Sequence, residues 1–424
     1  MVVLLVALAL SALTACGRRA SEEPAPDPAG GGAASGAGAA SDLPLPDRID
    51  AALARSGDFL IGKQGADGAI RSGTYAYFKD GYSLTPLALA ALFGVPDDPR
   101  VARAYQRAVD FTTTMVTRDG VLRQDRDAPR YPLYSIALGA IVLNVPRNDR
   151  HRAVRDALVA ALRERQLVEK SGWARTDPAY GSWSYFDGIP RRPPGPRLDE
   201  ELASTLPGNL SSTLFAAGAL FLAGVAPTDP SLVAARVFVE RCQNYADPPG
   251  PADDGGFFFS TSVPDSNKAG PAAGAPGRYR SYGSATADGV RALLRLGLPP
   301  DHPRVVAAAA WLERRFDPER NPGDFVPVGE IRRASSYYYW TWSAAHALRD
   351  LGKTTLRTRA GEVRWAEALA TSLLARQRRD GSWSNPSAEM REDDPVVATS
   401  FATAALAICR HVLGGPFRSH AAQR

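Results

Sequence analysis

Two kinds of apolar pattern alternate along the chain from residue 48 onward. In six segments apolar residues recur at helical spacing on one face and charged residues take the other, which is typical of surface helices. These segments are residues 48–61, 101–115, 152–167, 232–242, 305–316 and 363–376. Between them lie six segments that are apolar or small nearly all round: residues 84–92, 133–143, 210–222, 285–296, 338–348 and 396–408. A helix of this second kind must be buried on every side.

This alternation predicts an all-α fold of two concentric rings, with the buried helices inside. Because outer and inner helices follow one another along the chain, each pair forms an antiparallel hairpin joined by a loop. Six hairpins make an (α/α)6 toroid. We predict that residues 48–424 form this toroid as a single domain.

A short motif repeats in the loops that follow the outer helices. The last copy reads Gln377-Arg378-Arg379-Asp380-Gly381-Ser382-Trp383, and the first reads Gln64-Gly65-Ala66-Asp67-Gly68. Weaker copies are Asp119-Gly120, Gly181-Ser182-Trp183, and Gln243 followed by Asp254-Gly255-Gly256-Phe257. Asp-Gly favours a tight turn, since Gly accepts positive φ and Asp binds its own backbone. The aromatic residue after the turn is expected to wedge between neighbouring hairpins.

The segment 377–383 resembles the repeat motif of squalene cyclases and prenyltransferases. The resemblance covers roughly residues 48–413, is strongest from Gln243 to Pro395, and extends to bacterial proteins named for their prenyltransferase and squalene-oxidase repeats. It implies an α/α toroid of the terpenoid-cyclase and protein-prenyltransferase type with a central cavity. It does not imply one particular reaction.

The start of the sixth inner segment holds two candidate catalytic acids. In squalene-hopene cyclases the proton donor belongs to an Asp-x-Asp-Asp-Thr motif at the start of an inner helix, and Glu392-Asp393-Asp394-Pro395 is similar but lacks the first Asp and the Thr. The resemblance implies Asp393 and Asp394 as the acids of a terpenoid-cyclase-like isomerase or lyase. The alternative is that Asp394 is only a helix N-cap, with Pro395 at the first helical position.

Aromatic residues at the starts of inner segments are candidate ligand-binding residues, because their faces cover apolar or cationic groups. We predict Tyr282, Tyr338, Tyr339 and Trp340 in this role, with Asp254 as a polar candidate. Trp340 stands where zinc prenyltransferases have a histidine, and the Tyr282 segment offers neither the Asp nor the Cys of their zinc site. We therefore predict no metal and no cofactor.

The roles of Asp288 and of two cysteines can be predicted from their neighbours in the sequence. Asp288 has Arg291 three residues later, so an ion pair on a polar helix face is expected. Cys242 and Cys409 each lie in an apolar helical run; free buried thiols are expected, and a disulfide in an oxidising periplasm is the alternative.

The N-terminus has the pattern of an exported lipoprotein. An apolar run from Val2 to Leu10 leads into Leu13-Thr14-Ala15-Cys16, which resembles a bacterial lipobox. We predict residues 1–15 as the signal peptide, Cys16 as the lipidated residue and residues 16–47, rich in Gly, Ala, Pro and Ser, as a flexible linker. No Lys or Arg precedes the apolar run, so a plain signal peptide is the alternative. The predicted location is a membrane facing the periplasm, with the outer membrane favoured.

Charge and loop length narrow the choice of partner. The net charge of +5 is spread without a Lys/Arg block, which argues against nucleic acid. Export separates the protein from cytosolic prenyl diphosphates. We therefore favour an envelope module that binds an apolar small molecule, a glycan or a protein in its cavity over a cyclase.

Long Pro- and Gly-rich loops at residues 172–208 and 245–280 are predicted to form a lid.

Overall fold

The computed structural model describes residues 43–124, 129, 131–186, 188–193, 206 and 208–414. The predicted signal peptide, the predicted lipidation site Cys16 and nearly all of the predicted linker lie outside these residues. The outer ring contains α1 (Leu45–Gly62), α3 (Pro99–Thr113), α5 (Arg152–Glu164), α7 (Pro230–Arg241), α9 (Pro303–Arg315) and α11 (Trp365–Ala375). The inner ring contains α2 (Leu84–Leu92), α4 (Pro132–Leu143), α6 (Leu210–Leu222), α8 (Gly283–Arg295), α10 (Tyr337–Asp350) and α12 (Pro395–Val412).

Contacts between the helices confirm the predicted toroid. Each inner helix packs on the inner helices before and after it, and α12 packs on α2, so the ring is closed. The two sequence patterns lead to different burial. On α5 only Leu158, Ala161 and Leu162 are buried, whereas on α6 every residue except Phe221 is buried. The half-apolar helices therefore form the outer layer, and the apolar ones form the core.

Two predicted boundaries differ from the structure. α1 begins at Leu45, three residues before the predicted start, because Pro46 suits the first turn of a helix. The sixth outer helix was predicted from residue 363 but begins at Trp365. The residues before it form an antiparallel hairpin of β1 (Thr355–Thr358) and β2 (Gly361–Arg364), in which Val363 pairs with Leu356. A five-residue helix, Glu330–Ala334, precedes α10.

One helix of the described ranges, α12, is long and apolar enough to cross a membrane by length and composition. Within the toroid, 67% of it is buried between α2, α10 and the outer helices α1 and α11. Packing in the core of the ring therefore explains why this helix is so apolar.

The glutamine of the repeat motif joins each hairpin that carries it to the next outer helix. Gln377 Nε2 donates to the carbonyl of Gly381 in its own turn at 3.0 Å and to that of Ala52 in α1 at 2.9 Å. Three other glutamines make the same pair of bonds: Gln64 to Gly68 and Ala104, Gln166 to Gly181 and Ser231, and Gln243 to Gly255 and Arg304. Because the last copy reaches α1, the motif also closes the ring.

The glycine of the motif allows this close approach. Gly381 has φ +85°, and a Cβ atom there would overlap the carbonyl of Arg55 in α1. The aromatic residue after the turn is buried as expected: Trp383 is 0% exposed and its Nε1 donates to Leu373 of its own hairpin at 2.8 Å. The motif therefore packs neighbouring hairpins together through backbone contact, while the hydrogen bonds of Trp383 to Leu373 and Thr399 lie within its own hairpin.

The two cysteines of the described residues are free and buried. Cys242 follows α7 and Cys409 lies in α12, and burial raises the pKa of both thiols. The expectation of free thiols is confirmed, and the disulfide alternative is not realised.

Candidate functional site

The centre of the ring contains two cavities, one at each end of the inner helices. The N-end cavity, at the helix N-termini, has a volume of about 70 Å³, and the C-end cavity, where the helices end, has about 420 Å³. Leu138 and Phe215 line both, and Phe215 stacks on Trp342 with ring centroids 5.5 Å apart. These three side chains form an apolar layer between the cavities.

The N-end cavity is small and largely aromatic. The aromatic residues that line it are Phe78, Tyr131, Tyr134, Phe215, Tyr339 and Phe401. Met390 and Arg391 line it from the loop before α12. A cavity of this volume has room for a few atoms or for ordered water, but not for a terpenoid chain.

A chain of hydrogen bonds leads from the N-end cavity into the apolar layer. Tyr134 Oη donates to Ser211 Oγ at 3.1 Å, and Ser211 Oγ lies 3.0 Å from Tyr339 Oη. Tyr339 Oη donates to Asp288 Oδ2 at 2.8 Å. Because Tyr339 gives its only hydroxyl hydrogen to Asp288, Ser211 is the donor in its bond with Tyr339. The Tyr134 hydroxyl has two acceptors within reach, Ser211 Oγ and Tyr185 Oη at 3.3 Å.

Asp288 is buried in the middle of α8, with an exposure of 1%. Its Oδ1 accepts from Ser343 Oγ at 2.5 Å and lies 3.6 Å from Arg291 Nη1. The predicted partner, Arg291, is correct, but the expected polar face is wrong, because α8 packs this face on α10 inside the ring. Burial raises the pKa of Asp288, while Arg291 and the hydroxyl donors oppose the rise.

The C-end cavity combines apolar walls with a cluster of cationic side chains. Its apolar lining includes Phe93, Leu138, Ile141, Phe215, Leu222 and Trp342. Its cationic lining consists of Arg291 and Arg295 of α8, Arg349 of α10 and Arg410 of α12, with His346 of α10. This cluster was not predicted from the sequence, because Arg295, Arg349 and Arg410 each lie in the last turn of a helix, where a basic residue is the ordinary complement of the helix dipole.

The predicted acids do not line either cavity. Asp394 is the N-cap of α12, where its Oδ1 accepts from Val396 N at 2.9 Å. Asp393 accepts a hydrogen bond from Tyr75 Oη at 2.6 Å. Neither residue is among those around the N-end or the C-end cavity. Asp394 therefore makes the contact of a helix N-cap, which was the alternative to a catalytic role.

Glu392, which the sequence analysis did not single out, has the more unusual position. It is 1% exposed and accepts hydrogen bonds from Tyr338 N at 2.9 Å and Tyr339 N at 2.7 Å, at the first turn of α10. Burial raises its pKa to about 7, against the lowering effect of these N–H donors. The carboxyl group therefore joins the start of α12 to the start of α10.

Of the predicted ligand-binding residues, only Tyr339 lines a cavity. Trp340 Nε1 donates to the carbonyl of Asp317, and Tyr338 Oη to that of Ser384. The remaining two also make internal contacts: Asp254 accepts from Ser281 Oγ and Trp311 Nε1, and Tyr282 packs on Phe325. These four side chains hold hairpins and loops together.

The described parts of the two long loops lie at the N-end of the ring, away from the larger cavity. Both connect an outer helix to the start of an inner helix, whereas the C-end cavity is bordered by the short connections, such as residues 93–97. The 245–280 loop is also anchored: Asn267 Oδ1 accepts from Phe259 N and Ser260 N at 2.8 and 3.0 Å. A lid over the C-end cavity is thus not formed by this loop.

Lys268 of the same loop is a buried amine without a carboxylate partner in the described ranges. It is 2% exposed, its Nζ lies 4.6 Å from the centre of the Phe259 ring, and it donates to Tyr282 Oη at 3.4 Å. Burial lowers its pKa to about 7. The ammonium form is held by ring faces and a hydroxyl group alone.

Replacing Lys268 with Met should stabilise the protein at neutral pH by about 1–2 kcal/mol, since a lysine whose folded-state pKa is lowered costs stability at every pH at which the unfolded chain holds the proton. The unfolded lysine keeps its proton up to about pH 10.5, whereas the folded one loses it above about 7. The stability gain of Lys268→Met should therefore be largest below pH 7 and shrink as the pH rises. Thermal unfolding at pH 6, 7.5 and 9 measures this gain.

The exposed Lys79→Met is the control and should show no such pH dependence. A stability gain for Lys268→Met that is equal at all three pH values would contradict the lowered pKa.

Across the described residues, no group of three or more His, Cys, Asp or Glu side chains is placed to hold a metal ion.

No protein-family model and no curated protein sequence matches the chain. Among solved structures it is similar to the type II terpene cyclase MstE from Scytonema in complex with geranylgeranyl dihydroxybenzoate, at 12% identity and a TM-score of 0.51 over 87% of this chain and 99% of that one. It is also similar to cellobiose 2-epimerase from Spirochaeta thermophila DSM 6192, at 12% identity and a TM-score of 0.52 over 87% and 98%. The chain has the α/α-toroid fold that these two proteins share.

Proposed function

We propose that the protein is a membrane-tethered binding module that holds an apolar small molecule in its C-end cavity. The observation that carries the proposal is the cavity itself: about 420 Å³ at the centre of the ring, with Phe93, Phe215 and Trp342 in its wall. Small-molecule sites are concave, mostly apolar and typically about 300–1,000 Å³ in volume. The Scytonema cyclase holds a geranylgeranyl compound, so the fold accommodates an apolar chain.

The placement of the carboxyl groups favours binding over protonation-initiated cyclisation. A cyclase needs an acid directed into the cavity that holds its substrate. Asp393 and Asp394 are engaged outside both cavities, and the C-end cavity is lined by Asp50 and Asp97 instead. Asp97 is solvent-exposed, and Asp50 is paired with Arg410 at 2.9 Å, so neither is a free acid directed into the cavity. A glycan or an envelope protein fits the apolar wall less well than an apolar small molecule.

Filling the cavity tests the proposal. Ala404 lines the C-end cavity on α12, and Ala404→Trp should abolish binding of a neutral apolar dye such as Nile red, because the indole ring occupies its space. We expect at least a tenfold loss of affinity, measured by dye fluorescence on the full-length protein. Mass spectrometry of molecules that co-purify with the wild type should find an apolar compound that the variant lacks.

The control is Ala54→Trp, which adds the same ring on the exposed face of α1. It should bind the dye as the wild type does. Equal binding by the wild type and by Ala404→Trp would refute the C-end cavity as the site.

The tether is proposed from the N-terminal sequence. A lipid on Cys16 would anchor the protein in a membrane facing the periplasm, and the residues between Cys16 and the start of α1 would let the toroid stand clear of the lipid surface by roughly 30 Å. Cys16→Ala should move nearly all of the protein from the membrane fraction to the soluble fraction, as measured by immunoblotting of fractionated cells. Cys409→Ala, which leaves the lipobox intact, should remain in the membrane fraction; a soluble wild type would refute lipidation.

A further inference from the structure

The cationic cluster of the C-end cavity is only partly neutralised by the protein. Arg410 is paired with Asp50 at 2.9 Å, and Arg349 with Asp350 at 2.5 Å. Arg291 lies 3.6 Å from Asp288, whose oxygens already accept two hydroxyl groups, and its Nη1 donates to Ser343 Oγ at 3.2 Å. The Nε atom of Arg291 is buried without a hydrogen-bond partner. A buried guanidinium with unused donors costs free energy unless another acceptor reaches it.

Arg295 has no ion-pair or hydrogen-bond partner in the described part of the chain, although it lines the same cavity. It lies one helical turn after Arg291, so the two like charges face the same side of α8 and repel each other. Burial and the charge of Arg291 lower its pKa to about 9. Arg291 has the Asp288 carboxylate at 3.6 Å and Arg295 has no anion of its own among the described residues, so the protein supplies one negative charge for two cationic groups.

The surroundings of Arg295 leave space for its guanidinium. Gly218 of α6 faces it, and a Cβ atom at that position would lie 2.6 Å from Nη1. The guanidinium carbon of Arg291 lies over the Trp342 ring, 4.1 Å from the ring centre. A guanidinium stacked on an indole ring is held in place while its edge remains free to bind a planar or tetrahedral anion. Attraction to the helix dipole accounts for Arg295 in the last turn of α8, but not for Arg291 in its interior.

Resting on the binding function proposed above, we infer that the ligand of the C-end cavity is an amphiphile. Its anionic group, a carboxylate or a phosphate, is bound by Arg295 and Arg291, and its apolar part lies against Trp342 and Phe215. Both arginines present paired N–H donors, which match the oxygens of either anion. The anion would neutralise the charge that the protein leaves unpaired.

The test compares three probes with the same apolar chain: decanoate, decyl phosphate and decanol. Each is titrated calorimetrically into the full-length protein below its micelle concentration. At least one of the two anions should bind at least tenfold more tightly than the alcohol, and the tighter anion identifies the headgroup chemistry. Arg295→Gln should reduce binding of the preferred anion at least tenfold and leave that of decanol unchanged, which also shows that the cavity is still folded.

The matched control is Arg357→Gln, an exposed arginine of the β-hairpin that follows α10. It removes the same charge from the protein and should leave all three affinities unchanged. If decanol binds the wild type as tightly as the anions, the anionic headgroup is refuted while the apolar cavity stands. If none of the three probes binds, the proposed function itself fails. If Arg295→Gln keeps the preference for an anion, Arg295 is not its site.

Discussion

Replacing Gly381 with Ala is expected to lower the free energy of unfolding by about 3–5 kcal/mol. The left-handed conformation at φ +85° costs a residue with a Cβ atom about 1–2 kcal/mol. The Cβ atom would also overlap the backbone carbonyl of Arg55, which cannot move without shifting α1. Because this contact joins the last hairpin to the first helix, the variant should also weaken the bonds that Gln377 makes across the ring closure. Thermal and denaturant unfolding followed by circular dichroism measure the loss.

Gly120 offers a matched control for the contact with α1. It occupies the turn of the second hairpin with φ +76°, and nothing lies within 4 Å of the position of an added Cβ atom. Gly120→Ala should cost only the conformational part, about 1–2 kcal/mol. Equal losses for the two variants would show that close packing on the next outer helix is not what the motif requires.

Removing the carboxylate of Asp288 is expected to destabilise the toroid by about 3–5 kcal/mol. Asp288→Ala leaves Arg291 buried, at 2% exposure, without its counter-charge, and it takes the acceptor away from Tyr339 and Ser343. Breaking a buried ion pair on one side is costly because the remaining charge has no compensation. The double variant Asp288→Ala, Arg291→Met should recover much of the loss. Chemical unfolding of the wild type, both single variants and the double variant measures the coupling.

The pair of Arg364 and Glu367 is the control for Asp288 and Arg291. It has the same spacing of three residues, but its side chains are 67% and 38% exposed. Glu367→Ala should change the free energy of unfolding by no more than about 0.5 kcal/mol, since exposed pairs contribute little. A comparable loss in both variants would indicate that burial of the inner pair is not what makes it matter.

Asp288 and Gly381 lie at different places in the ring, and their replacement should therefore have different effects. The Asp288 network reaches from Tyr339 at the N-end cavity to Arg291 at the C-end cavity. The network therefore crosses the apolar layer and holds Arg291 in place on Trp342. A change in Asp288 should then affect anion binding as well as stability, whereas the Gly381 turn lies on the outer ring and should affect stability alone.

Local patterns in the sequence predicted the fold well. The helical spacing of apolar residues located all twelve ring helices, and α2 and α6 have the predicted bounds. The Asp-Pro sequence at Asp394 predicted a helix cap, because a cap depends on neighbouring residues only. The pattern did not predict the β-hairpin before α11, because alternation over so few residues is not distinguished from the first turn of a helix.

The candidate site was much less accessible to sequence analysis. Four of the five proposed ligand-binding residues make internal contacts instead of lining either cavity. An aromatic residue at the start of a helix packs equally well between hairpins, and Asp254 accepts hydrogen bonds from Ser281 and Trp311. Gln166 escaped notice because a longer loop separates it from Gly181 than separates Gln377 from Gly381.

By itself, the sequence determined the alternation of surface and buried helices, and with it the double ring, because burial of each helix follows from its own residues. Its N-terminus also supplied the expectation of a lipid anchor on Cys16. Only the tertiary structure decided where the open space lies and which charges surround it. Arg295, Arg349 and Arg410 come from three helices far apart in the chain, and they meet because the ring closes. Whether a charged side chain has a partner depends on all its neighbours in the folded structure. A local sequence pattern could therefore not reveal that Arg295 lacks one.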